Sequence, residues 1–296
     1  MNTKIGYLLD KFNITPVLLD IGAAGSSPSI WKSIQEKSIY IGFDPDKRDF
    51  PSNENGFLKS YIINKALVEN DTKEVEFFLT KSPHCSSVLK PNAKSLKEYA
   101  FADLFTITRT SKSETVTLQK LATSYNIKSY DWIKTDTQGT DLRLFTSMPN
   151  ELRNTVLAID MEPGLIDAYE GEDLFIDVHK EMIRQGFWLS HMNTKGSAKI
   201  RQKTIRKLLE VYNINKNTLL KSIRESPGWV ELRYLRSLDW LQENNKCKET
   251  YIKLWTFSII DKQAGYATDL IFQYNENFGN DDVANYMLNN TLNLIK

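Results

Sequence analysis

Runs of apolar residues with the length of a β-strand alternate with amphipathic helical patterns from residue 15 to residue 191. Such alternation is typical of βαβ units around a parallel sheet, whose central strands are buried on both faces and therefore read as continuous apolar runs. We predict strands at residues 17–21, 39–43, 61–67, 132–135, 156–159 and 187–190, and helices at residues 28–34, 118–125 and 174–185. The pattern therefore predicts a doubly wound α/β fold.

Two other parts of the chain depart from this alternation. Residues 75–79 read as an added hairpin strand, and residues 83–91 read as a loop over the carboxyl edge of the sheet. After Met192 the apolar positions recur every 3.6 residues, over 200–224 and 229–296, with breaks at 226–228 and near 279–280. We therefore predict a first domain at residues 1–192 and a helical C-terminal subdomain at residues 193–296.

The composition is that of a folded protein, with 41% apolar and 25% charged residues in a chain of 296 residues and a net charge of +1. A nearly neutral chain is not drawn as a whole to nucleic acid or to a membrane, although residues 195–244 carry 11 Lys or Arg against five Asp or Glu. The two cysteines have no metal-ligand spacing, and we identify no signal peptide or transmembrane segment. These features favour a cytoplasmic protein.

The strongest chemical signal lies where the first two predicted strands end, at Asp20-Ile21-Gly22-Ala23-Ala24-Gly25 and at Asp44-Pro45. Ligands sit beyond the carboxyl ends of parallel strands, and an acid that closes the second strand can accept hydrogen bonds from a ribose diol. The acid before the first glycine favours the positively charged S-adenosylmethionine over a pyrophosphate; the alternative is a turn that binds nothing. The predicted cofactor-binding residues here are Asp20, Gly22, Ala23, Ala24, Gly25, Asp44 and Pro45.

Several segments resemble the FkbM family of S-adenosylmethionine-dependent methyltransferases. They are DIGAAG, IGFDPD, CSSVLKPN, TVTLQKLATSYNIKSYDWIKTDTQGTDLRLF and IDMEPGLIDAYEGEDLFIDVHKEMIRQGF, and together they span about residues 15–192. The most specific is WIKTDTQG at residues 132–139, which is similar to the family's hydrophobic-Lys-hydrophobic-Asp-x-Glu-Gly signature. The resemblance implies a Rossmann-like class I methyltransferase sheet. It also adds Ser86, Ser87, Asp136 and Gln138 to the cofactor-binding residues, with a turn role as the alternative for the serines.

The chain departs from the family pattern at three places. Ala24-Gly25-Ser26 replaces the usual Asn and later Gly of the first turn, Gln138 stands where Glu is common, and Thr140-Asp141 replaces a small or aromatic residue and Glu. A glutamine keeps an acceptor and adds donors, so it can hold a ligand hydroxyl but cannot serve as a base.

Methyl transfer to a hydroxyl needs a group that takes the proton, and we select Asp136, Glu162 and His191 as catalytic candidates because each follows a predicted strand. The alternatives are a helix cap for Asp136, a strand-end acid satisfied by backbone amides for Glu162, and a surface or core residue for His191. His84, in the loop over the edge, is a further possible base, and His179 reads as structural. Asp136, Asp160 and Glu162 offer oxygen ligands, but no spacing demands a metal.

The resemblance implies O-methylation, and we expect a sugar hydroxyl in a surface glycan or in its lipid- or nucleotide-linked precursor. The alternatives are a nucleic-acid or protein methyltransferase and a non-catalytic scaffold; the neutral charge and the lack of recognition motifs argue against nucleic acid. The basic cluster near residues 195–207 indicates either a solvated helix face, an anionic acceptor or peripheral contact with an acidic membrane. The oligomeric state stays open.

Overall fold

A computed structural model describes residues 5–23, 25–46, 48 and 55–295 of the chain. The strands are β1 Val17–Ile21, β2 Ile39–Phe43, β3 Lys59–Ile63, β4 Ala66–Leu67, β5 Glu74–Thr80, β6 Ile107–Val116, β7 Trp132–Thr135, β8 Ala158–Met161, β9 Phe187–Ala198 and β10 Glu225–Arg236. The α-helices are α1 Tyr7–Lys11, α2 Ala93–Leu96, α3 Leu118–Tyr125, α4 Asp141–Thr146, α5 Asn150–Arg153, α6 Phe175–Arg184, α7 Gln202–Glu210, α8 Lys216–Ser222, α9 Leu238–Glu243, α10 Lys248–Ile260, α11 Ala264–Phe278 and α12 Asp282–Ile295.

Seven strands form one central sheet in the order β3-β2-β1-β7-β8-β10-β9. Neighbours from β3 to β8 are parallel, and β10 runs antiparallel between β8 and β9. After β1 the chain builds outward through β2 and β3 and then returns to place β7 on the other side of β1, so the strand order reverses between β1 and β7. The predicted doubly wound, Rossmann-like fold is confirmed, and the reversal marks the edge where such sheets bind ligands.

The alternation of side chains along each strand divides the interior into two layers. Leu19 of β1 faces a core that includes α3, α4 and α6, whereas Leu18 faces a core that includes α1 and α10 to α12. The central part of α10, from Tyr251 to Ile259, is buried throughout. The C-terminal helices therefore supply one of the two helical layers that cover the sheet.

The prediction of helix over residues 229–236 is wrong, because Glu225–Arg236 is the antiparallel strand β10. Val230, Leu232 and Tyr234 are buried at every second position, as a strand requires, but the additional apolar residue Leu235 makes the same run compatible with a helical period. The predicted break at 226–228 is a register shift within this strand, between Pro227 and Trp229. The predicted boundary after residue 192 falls inside β9.

Other predicted elements differ in their limits. The strands expected at 156–159 and 187–190 are observed at Ala158–Met161 and Phe187–Ala198, and the run 61–67 is divided between β3 and β4. The helix expected at 28–34 consists of 3-10 turns at Ser29–Ser33 and Gln35–Lys37, without a side-chain cap. The hairpin strand expected at 75–79 is confirmed as β5, which pairs with β6.

The segment between β5 and β6, residues 81–106, lies over the carboxyl edge of the sheet, and we call it the cap segment. It has a small apolar core of its own, in which Cys85, Leu96 and Phe105 pack with Ala168 and Tyr169. Because Ala168 and Tyr169 follow β8, this packing fixes the cap segment to the edge where β8 ends. The cap segment can therefore form one wall of a site there.

Candidate active site

The end of β1 and the end of β7 are in direct contact at the switch point. The amide nitrogen of Asp136 donates to the carbonyl oxygen of Ile21 at 2.8 Å, and the amides of Gly22 and Ala23 both donate to the carbonyl oxygen of Phe43 at 2.8 Å. Gly22 has a φ of +80°, and a Cβ at this position would overlap the carbonyl oxygen of Asp136. The first turn is therefore glycine because both the backbone conformation and the adjoining strand end require it.

A first cavity, with an empty volume of about 630 Å³, opens beside this turn. Its walls come from the ends of β1, β2 and β7, from the β3–β4 region and from the cap segment. The polar and charged residues that line it are Asp44, Asp46, Lys65, His84, Ser86, Asp136, Thr137, Gln138 and Thr140, together with Gly22 and Pro45. The first cavity therefore lies at the reversal of strand order, where sheets of this kind bind ligands.

Asp44 closes β2 at the wall of the first cavity and is 9% exposed. Its Oδ1 accepts a 2.6 Å hydrogen bond from the amide of Asp46, and its backbone oxygen accepts one from Asn64 Nδ2 at 2.6 Å. Burial raises the pKa of Asp44 to about 7, and the charges of Asp46 and Asp136 act in the same direction. The carboxyl group is thus fixed in place and changes its charge near neutral pH.

The two predicted serines have different positions. Ser86 lines the first cavity, and its Oγ accepts hydrogen bonds from Thr80 N at 3.1 Å and from Arg48 Nη2 at 2.9 Å. Ser87 is 1% exposed and lines neither this cavity nor the one beside it; its Oγ donates to the carbonyl oxygen of Gln138 at 2.8 Å. Ser87 therefore ties the cap segment to the loop after β7.

A second cavity, with an empty volume of about 1,350 Å³, adjoins the first. The two cavities share His84, Asp136 and Gln138. Aromatic side chains from three separate segments line the second cavity, namely Phe101, Phe105, Tyr169 and Trp229, and so do four acids, Asp136, Glu162, Glu172 and Glu231. The place where the cavities meet is thus marked by a carboxylate, an amide and an imidazole.

Hydrogen bonds orient the side chain of Asp136 at this junction. Gln138 Nε2 donates to Asp136 Oδ1 at 2.6 Å, and the Tyr169 hydroxyl donates to Gln138 Oε1 at 2.8 Å. Gln138 itself has a φ of +57°, in the left-handed region. Asp141, at the start of α4, accepts from the amides of Thr137 at 3.1 Å and Glu162 at 2.8 Å, so it joins the ends of β7 and β8.

Lys134 lies among the carboxylates below the junction. Residues Asp20 and Lys134 are paired between β1 and β7, and Lys134 Nζ is 3.5 Å from Asp20 Oδ1 and 3.7 Å from Asp136 Oδ2. Burial alone would lower the pKa of Lys134, but the charges of Asp136, Asp20 and Glu162 outweigh burial and hold the pKa above its ordinary value. The ammonium group therefore stays charged and partly neutralises the acids.

Glu162 follows β8 and lines the second cavity. Burial raises its pKa to about 9, and the nearby charge of Asp136 contributes in the same direction, whereas Lys134 opposes the shift. A carboxyl group with such a pKa carries a proton at neutral pH. Once it is deprotonated, it is a much stronger base than an ordinary glutamate.

Other predicted site residues lie away from the two cavities. Asp20 is 2% exposed, accepts a 3.0 Å hydrogen bond from the Tyr40 hydroxyl and has a pKa raised by burial, so it supports the site from beneath. Ala23 is buried, Gly25 is exposed and neither lines a cavity, while Ala24 lies outside the described residues. His191 is exposed and lines a third cavity, which has Glu162 and Glu231 in common with the second cavity but includes none of His84, Asp136 and Gln138.

The remaining polar candidates have structural partners. Asp160 accepts from Arg233 Nε at 2.6 Å and from Trp132 Nε1 at 3.0 Å, so the residues considered as metal ligands do not converge. His179 Nδ1 lies 3.1 Å from the Tyr234 hydroxyl, as expected of a structural residue. Among the described residues, no group of three or more His, Cys, Asp or Glu could hold a metal ion.

None of the described helices is both long and apolar enough to cross a bilayer.

Sequence reasoning missed Lys134, Tyr169, Glu231 and the aromatic wall of the second cavity. Lys134 had a signal, since it lies within the WIKTDTQG signature two residues before Asp136. No local sequence pattern marks Phe101, Tyr169 and Trp229 as parts of one wall. These residues meet only because three separate segments come together, namely the cap segment, the loop that follows β8, and the strand β10.

Comparison with known proteins agrees with the arrangement of the sheet and its edge. The family model described as the methyltransferase FkbM domain matches residues 20–189, more than half of the chain. No curated protein and no solved structure matches. The match begins at Asp20, near the end of β1, and includes β2, β3, β7 and β8 of the central sheet, with the WIKTDTQG segment at the junction of the cavities. The chain therefore belongs to the FkbM family of methyltransferases.

Proposed function

We propose that the protein is an S-adenosylmethionine-dependent O-methyltransferase whose acceptor is a sugar hydroxyl. The observation that carries the proposal is that two cavities of different character meet at Asp136. Methyl transfer needs a donor and an acceptor that approach each other in line from two sides of one point. We assign the first cavity to the donor and the second to the acceptor.

The residues of the first cavity fit S-adenosylmethionine, the donor that the FkbM family generally uses. Asp44, which follows β2 and lines this cavity, would accept hydrogen bonds from the two ribose hydroxyls. Asp136, together with Asp44 in its ionised form, supplies negative charge that suits a cationic ligand and opposes a pyrophosphate, whereas Asp46 is paired with Arg48. The nucleoside would thus lie against β2 and the cap segment, with the sulfonium group toward Asp136.

S-adenosylmethionine supplies an electrophilic methyl group on a positively charged sulfur. The protein must then hold the acceptor oxygen and take its proton. Asp136 is already engaged by Gln138 at 2.6 Å and lies near Lys134, which suits a group that binds and orients the acceptor hydroxyl. Glu162 lines the acceptor cavity and has the raised pKa of a strong base. A positive charge beside it would lower this pKa, release its proton and prepare the carboxylate to accept the hydroxyl proton.

The lining of the second cavity favours a sugar as the acceptor. Aromatic rings such as those of Phe101 and Trp229 offer flat apolar faces, and carboxylates accept hydrogen bonds from hydroxyl groups. No Lys or Arg is among the described residues that line this cavity. The carboxylate of Asp136, where the two cavities meet, would repel a chain of phosphates at the reacting atom, which argues against a nucleic-acid acceptor.

The experiment measures transfer of a labelled methyl group from S-adenosylmethionine to nucleotide-linked sugars, lipid-linked sugars, oligosaccharides, transfer RNA and protein. We expect O-methylated sugar as the product. Glu162→Gln should lower kcat by about 10²–10⁴-fold and leave the Kd of the donor within about threefold, since it removes the proton acceptor but keeps the shape of the side chain. The matched control is Glu151→Gln in α5, which is exposed and has no ion pair among the described residues.

Two results would contradict the proposal. Methylation of transfer RNA or protein in preference to every sugar would reject the acceptor class. A Glu162→Gln variant with the turnover of the Glu151→Gln control would reject Glu162 as the base.

A further inference from the structure

An insertion between β9 and β10 carries a concentrated positive charge. Residues 199–224, which we call the basic hairpin, contain α7 and α8 and have eight Lys or Arg and one Glu, a net charge of +7 in a chain whose total is +1. Seven of these cations are exposed and have no ion-pair partner among the described residues, namely Lys199, Lys203, Arg206, Lys207, Lys216, Lys221 and Arg224. Their charge is therefore available to a partner.

The basic hairpin stands at the rim of the acceptor cavity. β9 has the same direction as β8, so the hairpin leaves the sheet at the edge that holds the site. Gly196 and Ser197, at the end of β9, line the second cavity. Arg201 forms a 2.7 Å ion pair with Glu98 of the cap segment, and Gln202 donates to the carbonyl oxygen of Ala100. A surface that binds the hairpin would therefore lie beside the mouth of this cavity.

The turn between α7 and α8 exposes apolar side chains. Val211 is 67% exposed, Tyr212 is 62% exposed and Ile214 is 36% exposed, whereas Ile205 of α7 is 2% exposed and anchors the hairpin. The apolar tip is flanked by Arg206 and Lys207 on one side and by Lys216 and Lys221 on the other. Aromatic and aliphatic residues beside clustered cations are typical of segments that lie at a membrane interface.

We propose that the basic hairpin docks on a lipid bilayer with anionic headgroups and thereby presents the mouth of the second cavity to membrane-linked acceptors. The hairpin charge complements the headgroups, and the tip of Val211, Tyr212 and Ile214 can enter the interfacial region. A nucleic acid would use the cations but leave this tip exposed to water. The choice of a lipid-linked saccharide as acceptor rests on the proposed function, whereas docking itself does not.

The test is cosedimentation of the full chain with vesicles of phosphatidylcholine alone or mixed with phosphatidylglycerol, without donor or acceptor. We expect binding only to the anionic vesicles, weakened by salt. Replacing Lys203, Arg206 and Lys207 together by Gln should reduce the partition constant by about a hundredfold at low salt. Replacing Val211 and Tyr212 by Ser should reduce binding to the anionic vesicles but leave the salt dependence of that binding unchanged. A control of equal charge is the replacement of the exposed Lys32, Lys128 and Lys180 by Gln.

Two outcomes would overturn the proposal. One is no binding of the wild type to anionic vesicles, whether or not the hairpin cations bind RNA, and the other is an equal loss of binding in the control and hairpin triple variants. All the substituted residues are exposed, and an unchanged thermal unfolding transition would show that the variants fold. Because methyl transfer is not measured here, failure of docking would leave the proposed function intact, and failure of methyl transfer would leave docking intact.

Discussion

Gly22 and Asp136 are in such close contact that residue 22 has no room for a side chain. A Cβ at Gly22 would overlap the carbonyl oxygen of Asp136, while the amide of Asp136 donates to Ile21 at 2.8 Å. The turn after β1 and the end of β7 therefore form one continuous surface, on which we place the donor. Gly25, three residues later, has nearly the same φ of +79° but nothing within 4 Å of its Cβ position.

This difference makes Gly22→Ala and Gly25→Ala a matched pair. We expect Gly25→Ala to lower the free energy of unfolding by about 1–2 kcal/mol, through backbone strain alone. Gly22→Ala should cost about 1–3 kcal/mol more, because the strand end must also move. Urea denaturation measures both free energies of unfolding. Equal losses of stability in the two variants would mean that the close approach of Asp136 adds no cost to a side chain at residue 22.

The pKa of Asp44, raised by burial to about 7, should make binding of the nucleoside depend on pH. A carboxylate accepts hydrogen bonds from both ribose hydroxyls, whereas the protonated group does so less well, so affinity should rise as the pH rises through 7. We expect the Kd of S-adenosylhomocysteine, which lacks the positive sulfur, to fall by about tenfold between about pH 6 and pH 8.

Asp44→Asn is the control for this dependence, since it keeps the size of the side chain but removes the titration. We expect it to weaken binding at pH 8 by about 1–3 kcal/mol and to give a Kd that no longer varies with pH. Titration calorimetry measures both quantities. A variant with the same pH profile as the wild type would show that another group is responsible.

Glu162 should reduce the stability of the fold while serving catalysis. Burial raises the pKa of Glu162 from 4.5 to about 9 in the folded protein. The carboxyl group therefore loses its proton more readily in the unfolded chain than in the folded one. As a result, Glu162 destabilises the folded state increasingly as the pH rises from about 4.5 to about 9. Glu162→Gln should therefore raise the free energy of unfolding by about 1–3 kcal/mol at pH 7. Denaturation at about pH 5, 7 and 9 should show the advantage growing; a constant difference would contradict the raised pKa.

Lys134 should be coupled to the buried Asp20, whose Oδ1 lies 3.5 Å from the ammonium group. Lys134→Met leaves the carboxylate of Asp20 without its cation, and we expect a loss of about 3 kcal/mol. Adding Asp20→Asn should restore part of that loss, because residue 20 then has no charge that is left unpaired. The same cycle on the exposed pair Lys120 and Asp71, at 2.7 Å, should give a coupling below about 1 kcal/mol. Equal couplings in the two cycles would show that burial does not strengthen the interaction between Lys134 and Asp20.

The sequence predicts the parallel half of the sheet well and the rest less well. The predicted limits of β1, β2, β7 and α3 are confirmed. The three strands could be located because a strand covered on both faces is apolar along its whole length. β10 was missed because Leu235 extends the apolar run that contains Val230, Leu232 and Tyr234. The run then fits the two-residue period of a strand and the 3.6-residue period of a helix equally well. An isolated apolar run does not tell a strand from a helix unless its neighbours are known.

The candidate site divides in the same way. Asp44, Asp136 and Glu162 could be placed at one edge because strand ends in a parallel sheet share an edge. Ser87 could not be assigned, since only the fold shows that its hydroxyl reaches Gln138 rather than a cavity. The wall formed by Phe101 and Trp229 depends on contacts between segments more than 120 residues apart, which leave no local pattern.

The most direct test of the central claim is a crystal structure of the protein with S-adenosylhomocysteine. We expect the adenosine in the first cavity, with both ribose hydroxyls within hydrogen-bonding distance of the Asp44 carboxylate and the sulfur on the side of Asp136. A ligand bound elsewhere on the molecule, or a ribose in this cavity that makes no contact with Asp44, would contradict the assignment of the donor site.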